Sequence, residues 1–63
     1  MSEQSKLLET IMNRDISMDT NYEISLVIAK SKDRSKACRQ AREIIEQCKT
    51  EEEMVRRVQD EVK

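Results

Sequence analysis

The groups best able to do chemistry in this 63-residue chain are two thiols, Cys38 and Cys48, with 13 carboxylates and 12 lysine or arginine cations; histidine and glycine are absent. Without histidine the usual general base near neutral pH is missing, and with it the Ser-His and Cys-His pairs that activate a nucleophile. Without glycine the backbone cannot form a phosphate-cradling P-loop, a GxGxxG dinucleotide turn, an EF-hand calcium loop or a GxSxG nucleophile elbow. A carboxylate becomes a general acid only when desolvated in a concave pocket. A chain with 37% apolar residues and one aromatic, Tyr22, has little from which to build the walls of such a pocket. The expectation is a binding protein, not an enzyme, with no catalytic residue, cofactor, metal or small-molecule substrate.

The two cysteines do not change that reading. Nine residues separate Cys38 from Cys48, which on one helix sets them about 15 Å apart. A disulfide requires Cα atoms within about 7 Å, and a single CX9C spacing has no second pair to staple a hairpin. Zinc needs four ligands at suitable spacing, which two cysteines without CxxC or histidine do not supply. Both thiols fit a core stripe as small apolar groups.

Charge is the distinctive chemical feature. The net charge is −1, yet residues 1–29 carry −3, residues 30–42 carry +5 and residues 43–63 carry −3. Lys30, Lys32, Arg34, Lys36, Arg39 and Arg42 fall at a helix junction and its first turns, where cations and free backbone N–H groups can meet phosphates. Lys32, Arg34, Lys36, Arg39 and Arg42 are therefore the candidate contacts of an alternative function, a small dimeric nucleic-acid-binding regulator. Against it stand the acidic pI near 5.4 and the lack of aromatic residues interleaved with the basic ones to stack on bases. Basic and acidic blocks that face one another, or are simply solvated, account for the same pattern.

The elements that position these groups read as helices, since neither glycine nor proline interrupts the chain. Leu7, Leu8, Ile11 and Met12 make a narrow apolar stripe on a short helix over about residues 3 to 13, closed by Asn13-Arg14-Asp15, residue types that tolerate left-handed or capping backbone. Thr20-Asn21-Tyr22-Glu23 has the capping-box pattern and places a second helix start there. Six apolar residues among positions 22–29 predict the most buried element. The same stretch alternates like a strand, which would need pairing with another chain, as in ribbon-helix-helix dimers. Glu23 and Ser25 would then face DNA.

From Asp33 the apolar positions Ala37, Cys38, Ala41, Ile44, Ile45 and Cys48 share one side of a helix, with Arg39–Glu43 and Arg42–Glu46 spaced for i,i+4 pairs. Thr50-Glu51-Glu52-Glu53 repeats the capping signature and predicts a break near residue 50. The rival is one helix of about 30 residues along the seam Ala37, Ala41, Ile44, Cys48, Glu51, Val55, Val58 and Val62. The expected fold is therefore all-α, a small bundle of three to four short helices in one domain over residues 1–63, paired as a homodimer. A helical hairpin with a long C-terminal coiled-coil helix is the alternative.

No apolar run approaches the roughly 20 residues that span a bilayer, and Met1-Ser2-Glu3-Gln4-Ser5-Lys6 lacks the basic and apolar regions of a secretory signal. A cytoplasmic location with reduced thiols is the expectation. The expected function is regulatory: an inhibitor, adaptor or modulator that binds another protein, and itself, through a helix face. Met54, Val55, Val58 and Val62 are the candidate partner-binding row unless the last helix buries them. Leu7, Leu8, Ile11 and Met12 are the second such row.

Overall fold

The computed structural model describes residues 3–62, which form four helices and no strand: α1 (Glu3–Asn13), α2 (Met18–Lys30), α3 (Arg34–Gln47) and α4 (Glu51–Glu61). A small helical bundle is thus the fold, and residues 22–29 lie within α2, not in a strand. The break near residue 50 is present. Cys48 ends α3, and the Thr50 hydroxyl accepts the Glu53 N–H at 3.3 Å as the N-cap of α4. That cap, with three acids at the positive end of the α4 dipole, favours a new helix over continuation of the old one.

α3 is the central element. Ala37, Cys38, Ala41, Ile44 and Ile45 all face inward from it, and α1 packs chiefly on α3, while α2 packs on α4 and α3. Leu7 and Ile11 from α1, Ile24 from α2, and Met54, Val58 and Val62 from the C-terminal segment complete the core. α2, expected to be the most buried helix, buries only Thr20 and Ile24. Its apolar residues spread around more of its circumference than its neighbours cover.

α2 also begins earlier than the Thr20 box implied. Ser17 is the N-cap, accepting the Thr20 N–H at 3.4 Å. The Thr20 hydroxyl instead donates to Glu51 of α4 at 2.7 Å. A tertiary partner has removed Thr20 from local capping, and nothing in residues 18–20 prevents one more helical turn.

α1 stops through a Schellman arrangement. The Ile16 N–H reaches the Ile11 carbonyl at 3.3 Å, the Asp15 N–H reaches Met12 at 3.3 Å, and Asp15 takes φ 53°. This is the left-handed position usually held by glycine. The linker that follows is tied to the α3–α4 turn from both sides. The Arg14 guanidinium donates to the Cys48 carbonyl at the C-terminus of α3, a favourable place for a cation. In return, Glu51 Oε1 accepts the Ser17 N–H at 3.1 Å and the Ser17 hydroxyl at 2.6 Å. Those bonds hold the Glu51 carboxyl below its ordinary pKa: the Ser17 hydroxyl contributes most, then the Thr20 hydroxyl, then the Ser17 N–H. Glu51, the polar defect in the heptad seam, is thus an anion shared by the positive ends of α2 and α4.

Candidate interaction surface

α1 and α2 both lean on α3 but hardly touch one another. Between them lies an open groove of about 280 Å³, floored by Leu7, Ile11, Ile28 and Cys38 and walled by Leu8, Ser25 and Ala29, with Arg34 and Ser35 of α3 at one end. Burial pushes the Cys38 thiol up, and the nearby Glu3 carboxylate adds to the shift. A thiol held in its neutral form suits an apolar floor, not a nucleophile.

Both helices that border the groove also carry uncovered apolar side chains. Leu8 (48% exposed) and Met12 (79%) stand on α1, with Met18 (85%), Tyr22 (65%) and Leu26 (41%) on α2. These five are all the large apolar side chains left exposed among the described residues, and α3 and α4 contribute none. Met18, Tyr22 and Leu26 are spaced i, i+4, i+8, which makes them one stripe along α2.

The C-terminal row predicted to bind a partner is placed otherwise. Met54, Val58 and Val62 are core residues and Val55 is half-buried, so α4 presents no apolar contact row. The physical reason is that α4 must bury one side to stay folded, and four residues per two turns supply only one side. The N-terminal row is divided: Leu7 and Ile11 face the core, Leu8 and Met12 face out. The six apolar residues among positions 22–29 point in sequence to a buried helix, but they surround too much of α2 for one buried side, and Tyr22 and Leu26 stay exposed.

The basic segment is exposed at Lys30, Lys32, Arg34, Lys36 and Arg39, and none of these has an acidic partner within 4.0 Å among the described residues. Arg42 differs. It is half-buried and lies 3.7 Å from Glu3 of α1 instead of pairing with Glu46, and Arg39 does not pair with Glu43. Packing of α1 on α3 brings a partly buried carboxylate to Arg42, where attraction is screened less than at an exposed i,i+4 site. Arg57 of α4 donates to Glu61 at 2.8 Å and to Gln47 at 3.3 Å, tying α4 to the end of α3.

Among the described residues no three cysteine, aspartate or glutamate side chains gather to hold a metal ion. No helix among them is long and apolar enough to cross a membrane. Comparison of the chain with family models, curated proteins and solved structures finds no match.

Proposed function

We propose that this chain is a small, cytoplasmic, non-enzymatic adaptor or modulator, which acts by setting its α1–α2 face against a helix of another polypeptide. One observation carries the reading: among the described residues the exposed large apolar side chains are confined to α1 and α2, and one of them, Leu8, lines the groove between these helices. Single exposed apolar residues are ordinary, whereas a gathered patch with a polar rim marks an interaction site. A groove with Leu7, Ile11 and Ile28 in its lining suits an amphipathic helix, whose anchors at i, i+3 and i+4 would enter it. Met12 and Met18 add side chains that adapt their shape to a partner.

Site-specific photocrosslinking tests this. A benzophenone amino acid is placed at Tyr22, and in a control at Gln59 on the exposed side of α4. Irradiation in the native cell should give polypeptide adducts from position 22 and not from position 59. Equal adducts at the two positions, or none at 22, refute the proposal.

The unpaired cations at the α2–α3 junction favour one second reading, contact with a nucleic-acid backbone. Adducts sensitive to nuclease, obtained from a probe at Lys32, would replace the first reading with this one.

A further inference from the structure

Resting on that reading of the α1–α2 groove, we infer that its occupant is an amphipathic helix of another polypeptide with an acidic C-terminal end, and that this end lies over the α2–α3 junction. The lining of the groove holds two charged residues, Glu3 and Arg34. Glu3 is already matched, 3.7 Å from Arg42 and 4.0 Å from Lys6. Arg34 is not. The end of the groove bounded by Ala29, Arg34 and Ser35 is the α2–α3 junction, where residues 30–36 gather four cations, Lys30, Lys32, Arg34 and Lys36, against one acid, Asp33. All four cations are exposed, with no acidic partner within 4.0 Å among the described residues. Asp33 is engaged as the N-cap of α3, accepting the Lys36 N–H at 3.1 Å.

The apolar lining and the unpaired cations are therefore contiguous, and one ligand can meet both: apolar anchors along the groove, then acids beyond the last anchor. A phosphate backbone would satisfy the cations and leave the apolar lining in water. An acidic helix covers both. Cations at one end also give the occupant a direction, because the C-terminal end of a helix carries uncovered carbonyls and the negative pole of its dipole. The chain makes this contact within itself, where the Arg14 guanidinium donates to the Cys48 carbonyl at the end of α3. Exposed charges act over about 8 to 10 Å and fade with salt, so they select the partner and its orientation more than they tighten its binding.

Panning a displayed library of amphipathic helical peptides, randomised at every position outside the apolar anchors, against the full chain reads the outcome. The selected peptides are expected to carry aspartate or glutamate after the last anchor, in excess over lysine and arginine. A synthetic peptide of the selected sequence, followed by fluorescence anisotropy, should not bind Leu8→Glu, which sets a charge in the groove wall. Its dissociation constant should rise about tenfold on the double change Arg34→Glu/Lys36→Glu, and the rise should shrink as salt is added. Leu8, Arg34 and Lys36 are outside the core, so far-UV spectra should not change. Peptides that need Leu8 but show no acidic preference, carry their acids at the N-terminal end, or ignore the double change overturn the inference and leave the binding role of the groove standing. If no selected peptide needs Leu8, that role falls too. Random duplex DNA is the last probe: binding that the double change abolishes, with no acidic peptide selected, assigns the cations to phosphates and overturns the inference.

Discussion

Leu7 and Leu8 are adjacent, chemically identical and on the same helix, yet the bundle sends them to opposite environments: Leu7 is 5% exposed and Leu8 is 48% exposed. Truncation of each to alanine therefore isolates the environment. Leu7→Ala removes a side chain packed in the core and leaves a void that α1, an outer helix, can partly close. The cost should fall in the lower part of the range for such changes, about 2 to 3 kcal/mol. Burying a leucine fully is worth about 1.5 to 3 kcal/mol. Leu8 realises half of that, and alanine's better helix propensity returns part of it, so Leu8→Ala should cost no more than about 1 kcal/mol. A domain of this size has a total stability of about 3 to 9 kcal/mol. At roughly 4 to 8 °C per kcal/mol, Leu7→Ala lowers Tm by about 8 to 24 °C, and Leu8→Ala by no more than about 8 °C. Urea unfolding followed by far-UV circular dichroism, at a protein concentration low enough to exclude association, measures both. Equal costs would refute the placement of α1. A larger cost at Leu8 would mean that the exposed ridge is the true core side.

Two further perturbations test the polar ties. Glu51 has its pKa lowered in the folded state, so the stability it adds is full above the ordinary carboxylate value of 4.5 and is lost as pH falls through its folded value. Glu51→Gln should lower the urea midpoint at neutral pH and have progressively less effect towards acid pH; a difference independent of pH would refute the tie to Ser17 and Thr20. Asp15→Gly replaces a side chain strained at positive φ and removes an anion from the C-terminal end of α1. It should raise stability by about 0.5 to 1 kcal/mol, and a loss in thermal unfolding would show that Asp15 makes a compensating contact.

Local features of the chain determined much of this. The first helix, its stop at Asn13-Arg14-Asp15, the Thr50 cap and the inward side of α3 follow from residue type and from the 3.6-residue period, because capping and amphipathicity act within a turn or two of the residue concerned. Packing decided what those rules leave open. Whether Met54, Val58 and Val62 or Met18, Tyr22 and Leu26 would be covered depends on which helices lie against which. Two stripes of similar composition compete for one small core: α4 turns Met54 and Val58 inward, whereas α2 turns Thr20 and Ile24 inward and leaves Met18, Tyr22 and Leu26 outside. Thr20 and Glu51 show the same limit. Each carries a local capping signal, yet 31 residues apart in sequence they bond to one another, since a largely buried hydroxyl takes the acceptor the fold brings to it.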